Sequence, residues 1–153
     1  MKLNGEDTDY LTLGGGAFNV VNDDNEANDQ PSAEIRFEYR WGKKLVGIGP
    51  TIGMLVNARG SLYGYGGFYS DIQRDPWVVT PILGLGGYGK GNNDKDLSGV
   101  FHFMAAIDLS YQMDTGTRFG IKFAHISNAG IHDRNPGSES LLLTFTFPID
   151  FFP

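Results

Sequence analysis

The sequence predicts an all-β protein: an eight-stranded antiparallel up-and-down transmembrane β-barrel that forms one domain over residues 1–153. Three observations predict this fold class. Apolar and polar residues alternate almost everywhere, helical periodicity is nearly absent, and tight turns alternate with longer polar loops. Strands of about ten residues with one apolar face and one polar or small face are typical of barrels that cross a membrane.

Eight segments carry the alternation. In residues 34–41 apolar side chains alternate with charged ones, which is the pattern of an amphipathic strand. Residues 101–112 alternate over a length that exceeds the usual strand of a soluble sheet. The eight predicted strands span residues 10–20, 34–41, 45–56, 61–72, 77–90, 101–112, 118–128 and 139–148.

The predicted connections also alternate in length, because turn-forming Gly, Pro, Asn and Asp residues occur between the strands in short and long clusters. Tight turns are predicted at residues 42–43, 73–76 and 113–116. Longer polar loops are predicted at residues 21–31, 91–99 and 129–138, with residues 57–60 as a short exception on that side. Short connections at one end and mostly long ones at the other indicate an up-and-down barrel.

Alternation alone leaves open which face is inside, so a soluble lipocalin-like barrel with an apolar interior is an alternative. Two observations favour the membrane. The polar face carries charges of both signs that can pair in a lumen, and the apolar face carries aromatic residues near strand ends, as interfacial girdles do. The aromatic residues are Tyr39, Trp41, Trp77 and Tyr111.

The composition argues against several classes of function. The formal net charge of -6 argues against a nucleic-acid binder, because such proteins need a basic surface. The absence of Cys excludes disulfides and thiolate metal sites, and the spacing of His125, His132 and Asp133 matches no recognised metal site. The N-terminal residues contain no apolar run of signal-peptide length, so in an exported protein we expect the signal peptide to have been removed.

Three polar side chains fall on positions that would otherwise face hydrocarbon. His125 and Ser127 continue the apolar face of their strand, and Glu139 has the parity of the apolar residues in the next strand. Residues two apart on a strand share a face, with Cα atoms roughly 6.5 to 7 Å apart, so His125 can reach Ser127. A serine nucleophile needs an adjacent base, and the base needs a group that fixes its tautomer. We therefore predict Ser127 as nucleophile, His125 as base and Glu139 as the orienting acid.

An acyl-transfer site also requires donors directed at the developing oxyanion. Asn128, Ala129 and Gly130 directly follow Ser127 and offer an amide side chain and backbone N–H groups at a chain reversal. With a periplasmic N-terminus, the connection between the seventh and eighth strands faces the outer leaflet, which holds lipopolysaccharide. These parts predict an esterase that meets acyl esters in that layer.

At these residues the chain resembles the outer-membrane lipid A 3-O-deacylases, PagL-like barrels that are eight-stranded serine esterases. The resemblance is carried by the run His-Ile-Ser-Asn-Ala-Gly-Ile at 125–131, by Asn-Pro-Gly at 135–137 and by Glu139. It implies a catalytic triad of His125, Ser127 and Glu139, and an oxyanion hole formed by Asn128 and the following backbone. It also implies a lipid A substrate, a product that lacks the 3-position hydroxyacyl chain, and no cofactor.

The alternative hypothesis is a non-catalytic small outer-membrane barrel for adhesion or envelope structure, whose long loops bind a partner. The expected location is the bacterial outer membrane, with the protein embedded in the membrane and lipid A or lipopolysaccharide as substrate. No nucleic-acid partner is expected, and a homodimer is left open as the assembly.

Overall fold

The computed structural model describes residues 5–6, 8–20, 31–90, 100–128 and 138–149, and this part of the chain forms a closed antiparallel barrel. Each long strand pairs with its neighbours in the chain, and the last pairs with the first. The strands are β1 (Asp9–Phe18), β2 (Ser32–Arg40), β3 (Ile48–Asn57), β4 (Leu62–Ser70), β5 (Trp77–Gly89), β6 (Phe101–Gln112), β7 (Arg118–Ser127) and β8 (Ser138–Ile149). The predicted eight-stranded up-and-down barrel is confirmed. The described residues include no helix long and apolar enough to span a membrane.

The connection between β2 and β3 differs from the predicted turn at residues 42–43. Lys43–Lys44 forms a short strand that pairs with Gly5–Glu6. The chain reverses later, where Val46 and Gly47 adopt φ angles of 53° and 76° and a bridge joins Leu45 to Ile48. Because left-handed residues cannot continue a strand, β3 begins three residues after the predicted start.

The turn between β4 and β5 is shorter than the predicted turn at residues 73–76. The predicted strand 61–72 is interrupted at Asp71, and Ile72–Arg74 then pairs with the beginning of β5. Asp71 is buried and accepts a 2.7 Å hydrogen bond from Thr80 Oγ1. This inward side chain marks the break in the strand, and the turn shortens to residues 75–76.

The inside of the barrel is polar and contains paired charges. Glu38 lies 2.7 Å from Arg40 Nε and 3.3 Å from Lys122 Nζ, and it accepts a hydrogen bond from the Tyr65 hydroxyl. Arg40 also lies 3.3 Å from Asp108. Isolated charges are costly to bury, so opposite charges in direct contact stabilise one another here. We call these five residues the central luminal cluster.

Two further polar groups lie along the lumen. Glu34 pairs with Arg36 Nε at 2.8 Å and accepts a hydrogen bond from Ser140 Oγ at 2.6 Å. Asp71 lies 3.2 Å from Arg118 and 3.6 Å from Lys44. The lumen is therefore occupied by interacting side chains over much of its length.

The outer surface is apolar, so the lipocalin-like alternative with an apolar interior is wrong. Residues that alternate with the luminal ones are large, hydrophobic and exposed, including Ile35, Phe37, Ile52, Leu83, Ile107 and Leu143. The predicted girdle aromatics form pairs: Tyr39 with Trp41 at 4.8 Å and Trp77 with Tyr111 at 5.4 Å between ring centroids. An apolar exterior over a polar lumen is typical of barrels that lie in a bilayer.

The central luminal cluster generates a prediction about stability. Replacing Glu38 with Gln removes the charge that compensates Lys122 and Arg40, so we expect the free energy of unfolding to fall by about 3 kcal/mol. Urea unfolding of the refolded barrel in detergent measures this change. Asp114→Asn, which makes the same charge change in an exposed turn, is the control. Equal stability of the two variants would contradict the compensating role of Glu38.

Candidate active site

The candidate site lies where β7 ends and β8 begins, on the outer surface of the barrel wall. His125 and Glu139 are direct partners across the two strands. His125 Nδ1 and Glu139 Oε1 are 2.8 Å apart, which is a hydrogen bond. The structure therefore brings together the predicted base and the predicted orienting acid.

The alternation of β7 continues to the end of the strand and places this site outside the lumen. Ala124 and Ile126 are buried inside the barrel, with exposures of 0% and 1%. The His125 side chain between them is 42% exposed, and the Glu139 side chain is 21% exposed. Ser127 is also partly exposed. The three side chains therefore open towards the surroundings of the barrel.

Ser127 follows His125 by two residues and shares its face of the strand. Within the described residues, no hydrogen bond joins the Ser127 hydroxyl to the His125 ring. Catalytic hydrogen bonds are often long or poorly aligned without substrate and tighten in the complex. The predicted base and the predicted orienting acid are therefore hydrogen-bonded, and the predicted nucleophile lies two residues from His125 on the same face.

The contact with Glu139 also determines how His125 can act. A carboxylate accepts hydrogen bonds, so the neutral ring donates its Nδ1–H to Glu139 and carries its lone pair on Nε2. This assignment follows from the hydrogen-bond partner. Nε2 is then free to accept a proton from a hydroxyl, which is what a general base must do.

The predicted oxyanion donors are described only in part. Asn128 is fully buried and directly follows the last residue of β7. Ala129 and Gly130 lie outside the described residues, as do His132 and Asp133.

Two residues of β6 that the sequence did not single out complete the surroundings of the site. Ala105 pairs with His125, and Phe103 pairs with Ser127. Counting outwards from the predicted 113–116 turn could have found these partners, because the two strands form a hairpin. Alternation within one strand identifies which residues share a face. It does not identify which residues of the neighbouring strand lie beside them.

The backbone around Glu139 is held from two sides. Val20 N–H donates a 2.9 Å hydrogen bond to the Glu139 carbonyl, which connects the end of β1 to β8. The next residue, Ser140, points inwards and donates to Glu34. The strand that presents Glu139 outwards is therefore tied to a luminal charge pair.

Comparisons with known proteins identify relatives of the chain. The family model described as "Lipid A 3-O-deacylase (PagL)" matches residues 14–148. The lipid A deacylase PagL of Bordetella bronchiseptica is 37% identical over 54 residues, which are 35% of this chain and 30% of that protein. The match thus spans less than a third of the length of this curated relative.

Solved structures show the same fold. The outer membrane enzyme PagL superposes with a TM-score of 0.65 at 19% identity, covering 92% of this chain and 99% of that chain. Neisserial surface protein A superposes with a TM-score of 0.64 at 10% identity, covering 95% of this chain and 100% of that chain. The outer membrane protein Ail of Yersinia pestis superposes with a TM-score of 0.54 at 11% identity, covering 92% of this chain and 100% of that chain. A protein named for its surface location therefore matches the fold almost as well as an enzyme does, so the fold alone does not identify the chemistry.

The hydrogen bond to Glu139 generates a prediction about His125. We expect neutral His125 to carry its proton on Nδ1, and Glu139→Ala to shift the population towards the Nε2–H tautomer because the acceptor is lost. Nitrogen NMR of the refolded protein, with the three histidines assigned by single substitutions, measures the tautomers. His102 is the internal control, because its Nδ1 contacts the Val100 carbonyl at 3.0 Å and is unaffected by the change. An unchanged His125 tautomer in Glu139→Ala would show that Glu139 does not orient the ring.

Proposed function

The chain belongs to the PagL family of lipid A 3-O-deacylases, enzymes that act on ester bonds, and from this premise we propose the chemistry of its site. We propose a serine esterase that hydrolyses the 3-O-linked hydroxyacyl chain of lipid A in the outer leaflet of the bacterial outer membrane. The observation that carries the proposal is the 2.8 Å His125–Glu139 hydrogen bond, with Ser127 beside it on the same outer face. Family membership supports the substrate class, and the geometry supports the residues.

The proposed reaction begins with attack of Ser127 Oγ on the ester carbonyl carbon. His125 Nε2 accepts the hydroxyl proton, and Glu139 stabilises the imidazolium that forms. When the tetrahedral intermediate collapses, the bond between the carbonyl carbon and the sugar oxygen breaks, and His125 returns the proton to that oxygen. A water molecule activated by His125 then hydrolyses the acyl-enzyme and releases the hydroxy fatty acid.

The negative oxygen of the intermediate requires hydrogen-bond donors on the outer face. Asn128, Ala129 and Gly130 directly follow the nucleophile, and backbone N–H groups at a chain reversal can converge on one oxygen. The proposed donor set is the Asn128 amide together with these backbone N–H groups. Preorganised donors of this kind contribute because they need little rearrangement as charge develops.

The outward orientation of the site supports a membrane-embedded enzyme that acts on a lipid in place. Exposed apolar side chains, including Phe123 and Leu141, surround the triad on the same face. A lipid whose acyl chains lie beside this surface brings its ester to Ser127 by lateral diffusion, without leaving the membrane. The reaction does not require a homodimer, because one chain supplies all three side chains.

A non-catalytic barrel for adhesion or envelope structure is the second candidate, and its support is the fold-level likeness to Neisserial surface protein A. That role does not explain a hydrogen-bonded His–Glu pair and a serine within an apolar outer surface. Polar groups in such surroundings are costly, and they are typical of functional sites. The catalytic proposal therefore accounts for more of the structure.

Replacement of Ser127 tests the proposal. Incubation of the detergent-refolded protein with lipid A should remove one ester-linked hydroxyacyl mass, measured by mass spectrometry. Ser127→Ala should lower this rate by more than about a thousandfold, because the nucleophile is lost. Ser70→Ala, at an outward-facing serine at the far end of β4, should retain the parental rate.

Each other result has a defined meaning. No mass change with a verified folded parent would favour the adhesion or structural role. Equal deacylation by the parent and Ser127→Ala would show that Ser127 is not the nucleophile. Circular dichroism of each refolded variant establishes that the barrel has formed.

A further inference from the structure

A line of contacting side chains crosses the lumen behind the candidate site. Ser140 Oγ on β8 donates a 2.6 Å hydrogen bond to Glu34 on β2, and Arg36 Nε donates to the same carboxylate at 2.8 Å. Arg36 Nη1 then contacts Met104 Sδ on β6 at 3.3 Å. Because β2 and β6 lie on opposite sides of an eight-stranded barrel, these contacts span its interior. We call these four residues the transluminal network.

Both ends of the transluminal network lie next to the candidate site. Ser140 directly follows Glu139 in β8. Met104 pairs with Ile126, the residue of β7 that separates the predicted base from the predicted nucleophile. The network therefore connects the inner face behind the orienting acid with the inner face behind the other two side chains.

Ser140 is a polar residue in an otherwise apolar row of the inner face. The register places it in a row with Phe18, Ala124, Ala106 and Ile82, all of them buried. A buried hydroxyl in apolar surroundings is costly unless it is hydrogen-bonded. The bond to Glu34 therefore makes a serine tolerable at this position and attaches β8 to a distant strand.

A close approach of two strands allows Glu34 to reach Ser140, because β1 lies between β2 and β8. Gly16 is the partner of Glu34 on β1. A Cβ on Gly16 would clash with the Leu141 carbonyl oxygen and would lie 2.8 Å from Leu142 Cα. Only a glycine fits between these strands, so the sequence of β1 permits the contact that crosses it.

The position of Glu139 explains why this attachment matters. Glu139 is the second residue of β8, and the ends of secondary-structure elements open more easily than their centres. Its carbonyl accepts the hydrogen bond from Val20, and the next residue is held by Glu34. The direction in which Glu139 presents its carboxylate to His125 therefore depends on attachments near the beginning of the strand.

We propose that Ser140 and Glu34 are positioning residues for the reaction. They hold the start of β8 so that Glu139 stays within hydrogen-bonding distance of His125 Nδ1. This inference rests on the proposed esterase function. Neither residue reaches the outer face, so both act through Glu139 and not on the substrate.

Removal of one hydroxyl group tests the inference. Ser140→Ala removes the donor to Glu34. Thr144→Val is the matched control, because Thr144 also points inwards from β8 and donates a 3.1 Å hydrogen bond to the luminal carboxylate of Asp108. Ser140→Thr keeps the hydroxyl, and threonine already occupies the inward positions 144 and 146 of this strand.

The measured quantities are kcat and apparent KM for lipid A in detergent micelles and the His125 tautomer by nitrogen NMR, all with the refolded full chain. We expect Ser140→Ala to lower kcat about tenfold, because a small displacement of a catalytic group is costly to the rate. Apparent KM should stay unchanged, and the His125 population should shift towards the Nε2–H tautomer. Ser140→Thr should restore kcat, and Thr144→Val should keep the parental kcat and tautomer.

Four results would contradict the inference. A parental kcat and tautomer in Ser140→Ala would show that the contact does not position Glu139. An equal fall of kcat in Ser140→Ala and Thr144→Val, or failure of Ser140→Ala to refold, would assign the hydroxyl to general stability of the barrel. These three results leave the esterase proposal standing. A folded parent that removes no acyl chain would overturn the proposed function and this inference with it.

Discussion

The charge pairs inside the barrel are the constraint on which the rest of the structure depends. Glu38, Arg40 and Lys122 are at most 1% exposed, and each is stable there only because an opposite charge lies in contact. Because β-strands alternate, a wall that directs these groups inwards must direct its apolar residues outwards. The lumen is filled with interacting side chains, so under the proposed function the lipid substrate must bind at the outer surface.

The candidate site follows from this arrangement and is coupled to it through one strand. Glu139 points outwards to His125, and the next residue, Ser140, points inwards to Glu34. A shift of β8 by one residue would reverse both side chains, breaking the luminal bond and the His–Glu bond together. The luminal charges therefore help to maintain the register that the site needs, although they do not touch the reacting atoms.

Much of this structure could be predicted from the sequence because alternation is a local signal. All eight strands and the shared outer face of His125, Ser127 and Glu139 follow from parity. The turns near Val46 and Asp71 could not be placed well, because a left-handed backbone and contacts to distant Lys44 and Arg118 determine them. The pairing of Ala105 and Phe103 with the site depends on the register of two strands, which alternation within one strand does not reveal.

The outer location of the site also determines how selectivity can arise. A closed pocket excludes wrong substrates on every side, whereas a site on the barrel wall is in contact with every lipid that diffuses past it. Under the proposed function, selectivity must then come from the outward side chains beside the site, such as Ala105 and Phe103 on β6. Barrels of the same fold can differ in the size of a few outward side chains without any change in the lumen. This explains how a shared architecture, matched almost equally by PagL and by Neisserial surface protein A, can carry different functions.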